Sequence, residues 1–141
     1  MNLTRMILAG LLAGLVLNVG EAVLHGVVLA DPTAAAMTAL GRDAAGSNAG
    51  LSALIGITFV QGILGLWLVA LLVSRPMTRV AAAVSAGLVL WVLSGVYAAV
   101  YLGAGLPNVL PDRVVWLPVV WELVEYPLGI FVGALAYRPA R

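Results

Sequence analysis

Apolar residues run through this chain in four long blocks, and the polar breaks between them are short. The first block follows Arg5 and continues from Met6 to Ala30. A helix over residues 3–30 rises about 1.5 Å per residue, enough to cross a bilayer with tilt. A secretory leader is the rival reading, with Arg5 as its basic start. The apolar core of a leader lasts about 7–15 residues before a small-residue cleavage site. This run goes on through Val28 with Glu21 and His25 embedded in it, so the pattern predicts a retained membrane helix.

Asp31-Pro32 then reads as an N-cap followed by the first helical position. Gly41 reads as a stop, so a short outer interfacial helix is expected over 32–40. Residues 42–50 are rich in Gly, Ala, Ser and Asn and read as a flexible linker. Three further blocks predict spans over 51–73, 80–102 and 114–137. A tight basic turn, 74–79, and a loop, 103–113, separate them. Leu106, Val109 and Leu110 place that loop on the membrane surface. The fold class expected is an all-α membrane protein: one domain over 1–141, built as a four-transmembrane-helix bundle.

Composition agrees. The chain has 141 residues, 63% hydrophobic and 9% charged, with mean hydropathy +1.11. Soluble domains carry about a quarter charged residues, and a soluble fold this short could not hide so much apolar surface. There is no cysteine, which excludes disulfides, thiolate metal sites and thiol catalysis. All seven basic residues are Arg, which excludes Schiff-base chemistry on a lysine. Arg5, Arg75, Arg79, Arg138 and Arg141 flank the spans on one side with no acid among them. Arg42 and Arg113 share the other side with Asp31, Asp43 and Asp112. The positive-inside rule then predicts both termini and the 74–79 turn in the cytoplasm, with loops 31–50 and 103–113 facing outward.

Against this background the polar residues inside the spans stand out, because ionisable groups are expensive there. Measured from the outer helix ends, Glu21 falls about 13 Å deep, Glu122 about 12 Å and Glu125 about 16 Å. His25 falls about 7 Å deep, Thr58 about 10 Å and Gln61 about 15 Å. Ser94, Tyr97 and Tyr101 lie in the outer half of the third span. Gly10, Gly14, Asn18, Glu21 and His25 recur at steps of three and four and form one stripe. Thr58, Gln61, Gly62 and Gly65 form a second, and Glu122, Glu125, Gly129 and Gly133 a third. Small residues in such stripes favour close helix packing in lipid.

The acids have no Arg or Lys inside the spans to pair with. Three resolutions stand open: protonated, hydrogen-bonded carboxyls, a bound cation, or water entering from outside. His25 is one turn from Glu21. Pro127 frees the carbonyl of Leu123 beside the acids of the fourth span. Gln61 reads as a bond across helices, and Trp116 and Tyr137 as interfacial anchors. Trp121 and Tyr126 read either as pocket walls or as lipid-facing anchors. Glu21, His25, Glu122 and Glu125 are the candidate metal ligands, but the paired Glu-x-x-His pattern of di-iron bundles is not met. No hydrolase triad, phosphate loop, dinucleotide fingerprint or nucleic-acid patch is present, and no cofactor is required.

Gly-Leu-x-Ala-Gly-Leu-x-x-Asn-x-x-Glu, from Gly10 to Glu21, and Trp-x-x-x-Glu-x-Pro-Leu, from Trp121 to Leu128, carry a resemblance. The chain resembles a loose group of small bacterial four-span integral membrane proteins without an assigned activity. The resemblance implies fold and topology only, and Glu122 lies outside the shared pattern. The expected function is an outward-facing acidic pocket formed by Glu21, Glu125, Glu122, His25, Asn18, Gln61 and Tyr97, with the 32–40 helix as its lid. It would bind or conduct a proton, a cation or a small polar solute. The alternatives are an accessory subunit of a membrane complex and a metal-dependent membrane enzyme. The expected partners are the lipid bilayer and either a second copy or another membrane protein, not nucleic acid.

Overall fold

In a computed structural model, residues 2–43, 48–105 and 110–137 are described, and they are almost wholly helical. Four helices are long and apolar enough to cross a membrane: α1 (Leu3–Val28), α3 (Asn48–Leu72), α4 (Arg79–Gly103) and α5 (Asp112–Ala136). A short helix, α2 (Ala30–Ala39), follows α1. Asn2 caps α1 by accepting from the Arg5 N–H at 3.0 Å, and Thr78 caps α4 by accepting from the Ala81 N–H at 3.2 Å.

The spans form a ring in which α1 and α4 each pack against both α3 and α5. Ring neighbours run antiparallel. Each four-residue step along α1, from Gly10 to Gly14 to Asn18, meets a four-residue step back along α3, from Ile63 to Phe59 to Ile55. Glycine sets this approach. A Cβ at Gly62 would fall on the Gly10 carbonyl and the Gly14 nitrogen, and a Cβ at Gly14 would sit 2.8 Å from the Phe59 Cα. Gly129 and Gly133 bring α5 against Leu17 and Ala9 of α1 in the same way. The apolar core fills the ring with small residues, Ala13, Ala82, Ala83, Ala86 and Ala134, around Leu17, Leu66 and Ile130.

The outer surface is the inverse of a soluble protein's. Leu8, Leu15, Leu54, Leu93 and Val124 are all more than half exposed, and only a third of each apolar window is buried. Such a surface needs lipid around it. The chain is a multi-pass membrane protein by helix length, composition and exposed face together.

The boundaries differ from expectation in several places. Asp31 is not an N-cap. Residues 24–28 widen into a π turn, closed by the Leu29 N–H on the Leu24 carbonyl at 2.8 Å, and this moves the break to Leu29. Asp31 then sits in the first turn of α2, where a negative charge still suits the helix dipole. Gly41 does stop α2. It has φ +68°, and the Arg42 N–H bonds the Met37 carbonyl at 2.9 Å while the Gly41 N–H bonds Thr38 at 3.0 Å, a Schellman ending.

The linker ends early, since Asn48–Gly50 are already the first turn of α3. Helical backbone continues past α4 to Gly105, and α5 starts at Asp112. Residues 44–47, Leu106, Val109, Arg138 and Arg141 lie outside the described residues. Tyr137 is no interfacial anchor: the backbone turns extended there, and its ring is 3% exposed, packed into the core. Trp116 remains 45% exposed.

If glycine contact sets the α1–α3 distance, Gly62→Val should destabilise the bundle by about 1–3 kcal/mol through overpacking. Gly56→Ala should be neutral or slightly stabilising, because a Cβ there meets nothing within 4 Å. Thermal unfolding in mild detergent, followed by tryptophan fluorescence, checks both. Equal midpoints for the two variants would contradict the glycine contact.

Candidate functional site

The polar layer begins with a backbone irregularity on three of the four spans. α1 carries its π turn over Leu24–Val28, α4 carries another over Val92–Val96, and α5 contains Pro127. Wide turns of this kind recur at functional positions because they redirect side chains and loosen carbonyls. In α4 the Ser94 hydroxyl lies 2.6 Å from the Leu90 carbonyl one turn back, which takes up one of those carbonyls. Gly87 lets α4 approach Pro127: a Cβ at Gly87 would be 2.5 Å from the Pro127 Cα.

Glu122 and Glu125 stand one turn apart on α5 and are each 8% exposed. They enter different seams. A Cβ at Gly95 would collide with the Glu122 carboxylate, so Glu122 fills a notch on α4. A Cβ at Gly20 would collide with the Glu125 carboxylate, so Glu125 fills a notch on α1. Glu122 Oε2 and both Glu125 oxygens are enclosed without a hydrogen-bond partner. Trp121 Nε1, close to Glu125, is also enclosed and lacks hydrogen-bond geometry to it. Each buried acid lies within electrostatic range of Glu21 and His25.

Glu21 and His25 form the open side of the cluster. His25 Nε2 is 3.2 Å from Glu21 Oε2, and their side chains are 49% and 28% exposed. The arrangement is graded: a half-exposed acid–imidazole pair next to two sealed carboxylates. Chemically it can accept and release protons or offer oxygen to a cation. Among the described residues no three acids or histidines converge closely enough to hold a metal ion. Glu21, His25, Glu122 and Glu125 form a shared electrostatic cluster.

The remaining expected members divide. Gln61 joins a junction of three helices: the Tyr126 hydroxyl donates to Gln61 Oε1 at 3.0 Å and lies 3.0 Å from the Ser94 hydroxyl. Tyr126 is 5% exposed, so it is neither a lipid anchor nor a wall open to solvent. Asn18 donates to the Gly14 carbonyl at 2.9 Å and reaches Ile55 of α3 at 3.4 Å, which makes it a helix clasp. Thr58 returns its hydroxyl to Leu54 at 2.9 Å. Tyr97 stands apart. It is 68% exposed and stacks on Tyr101 with ring centroids 6.5 Å apart. The Glu122 and Glu125 carboxylates occupy the glycine notches themselves. A groove of about 440 Å³ lies at the opposite end, between α3 and α4.

Gly20, Gly95, Ser94 as a junction member and the Trp91 Nε1 bond to the Val119 carbonyl at 2.8 Å escaped the sequence reading. Gly20 precedes Glu21 and Gly95 follows Ser94, so both lay next to residues already singled out. Comparison with protein-family models, curated proteins and solved structures gives no match.

Tyr126→Phe should cost about 1 kcal/mol, because it breaks the junction and strands Gln61 Oε1. A double-mutant cycle with Gln61→Ala, read by detergent unfolding, should give a favourable coupling of about 0.5–1.5 kcal/mol. Zero coupling would mean the two side chains do not meet.

Proposed function

We propose that this chain is a multi-pass protein of the bacterial inner membrane that takes up and passes on a proton or a small cation through its acidic layer. Both termini and the 74–79 turn face the cytoplasm, and the acids open outward past Glu21 and His25. The supporting observation is the pair Glu122 and Glu125, nearly sealed in the bundle with three carboxylate oxygens unpartnered. A carboxylate without a counter-charge is costly to bury, and intramembrane acids mark ion pathways and proton relays. A purely structural role would be served better by partners for those oxygens.

In this reading Glu21 and His25 form the entry. They are the least buried members of the cluster, and their 3.2 Å contact lets a proton move between a carboxylate and an imidazole. Glu125, on the α1 side, and Glu122, against α4, are the two buried stations. α2 lies next to the π turn of α1 and touches α5, which suits a lid at the outer surface.

Two experiments test this. In proteoliposomes holding a pH-reporting dye, a potassium diffusion potential should drive proton flux above that of empty vesicles. Repeating the assay with an inward sodium gradient and a sodium-reporting dye covers the cation branch. Glu125→Gln and Glu21→Gln should each abolish the active branch while the protein stays folded; full coupling in both variants defeats the proposal. Topology is tested separately, since the chain has no cysteine of its own. Ser74→Cys should react with an impermeant maleimide only from the cytoplasmic side, and Arg42→Cys only from outside. The reverse pattern would invert the orientation.

A further inference from the structure

The groove between α3 and α4 lies beside the basic turn, at the far end of the bundle from the acids. Its long wall is apolar, formed by Leu68, Leu72 and Val89, and its mouth carries Ser74 and Arg75. Ser85 lines it as well. About 10 Å of helix separates Ser85 from the α4 cap at Thr78.

Two details separate this groove from an ordinary lipid-facing crevice. First, Arg75 is exposed, and among the described residues neither it nor Arg79 pairs with an acid. Second, Ser85 has a free hydroxyl. Thr38, Thr58 and Ser94 each return their hydroxyl to a carbonyl one turn back. Among the described residues Ser85 makes no such bond, nor any other, although it stands in a membrane span. A free hydroxyl in that setting calls for a partner from outside the chain.

We propose that this groove holds one anionic phospholipid. Its phosphate sits at Arg75, a glycerol or ester oxygen accepts from Ser85, and one acyl chain lies along Leu68, Leu72 and Val89. The spacing matches the molecule: a cation at headgroup level, a hydrogen-bond donor one layer deeper, and an apolar trough. Basic recesses between membrane helices recognise anionic headgroups in this way. The site is independent of the acidic layer and needs only that the four helices span a bilayer.

The test is native mass spectrometry of the full chain in mild non-ionic detergent. It uses equimolar phosphatidylglycerol and phosphatidylcholine with the same acyl chains. Phosphatidylglycerol should be retained preferentially, and Arg75→Gln should lower its retention about fivefold, the effect of one basic residue at a membrane surface. Ser85→Leu fills the trough and should remove the preference with Arg75 still in place. Arg5→Gln removes the same charge elsewhere and should change nothing. Equal retention of the two lipids, an unaffected Arg75→Gln variant, or an equal loss in Arg5→Gln would overturn the proposal. Displacement of the lipid by inorganic phosphate would overturn it too, because the site would then read a free anion.

Discussion

Close backbone contact at glycine is the constraint on which this structure rests. In hydrocarbon there is no water to satisfy polar groups and little hydrophobic force between helices, so association depends on packing and internal bonds. Gly10, Gly14 and Gly62 bring α1 and α3 to backbone contact, and Gly129 and Gly133 do the same for α1 and α5. The ring that results is tight at the end away from the acids, where alanines fill it. Farther along the α1–α5 seam Gly20, and in the α4–α5 seam Gly95, leave space that carboxylates fill. One device thus serves both packing and chemistry, and only the side chain opposite each glycine differs.

The polar layer has two characters. The Tyr126 hydroxyl donates to Gln61 and ties α5 to α3, and Ser94 of α4, whose one proton goes either to the Leu90 carbonyl or to Tyr126, completes the junction. Trp91 adds a bond from α4 to the α5 backbone, and Asn18 clasps α1 to α3. The acids, by contrast, are left without bonds on the buried side and with one contact on the open side. A satisfied network next to an unsatisfied one is what a scaffold holding reactive groups requires: the first keeps the helices still, the second has free valence for an ion. The π turns and Pro127 fall in or beside this layer.

The spans were legible because a helix in lipid must be long and apolar, and that constraint acts on every residue. The stripes were legible too, since three- and four-residue spacing fixes a shared face. Which faces meet depends on register between helices, and no single sequence carries it. That is why Gly20 and Gly95 went unnoticed while Gly10 and Gly14 did not: the latter repeat along one helix, the former matter only through Glu125 and Glu122 on another. Tyr97 illustrates the converse. Depth placed it with the acids, but the rotation of α4, altered by its π turn, leaves it facing outward. Asp31 was misjudged because its cap pattern is local, whereas the position of the break is set by the wide turn before it.

The account depends on Glu125 pointing into the α1 seam at Gly20. Because the chain has no cysteine, oxidative cross-linking of a Gly20→Cys, Glu125→Cys double variant in native membranes examines this directly. The shorter cysteine at 125 vacates the space that a side chain at 20 would need. An intramolecular disulfide should form more readily in that pair than in Gly20→Cys, Val124→Cys, since Val124 faces outward at 67% exposure. A disulfide from the 124 pair and none from the 125 pair would turn α5 around, put its acids outside the bundle and contradict the central claim.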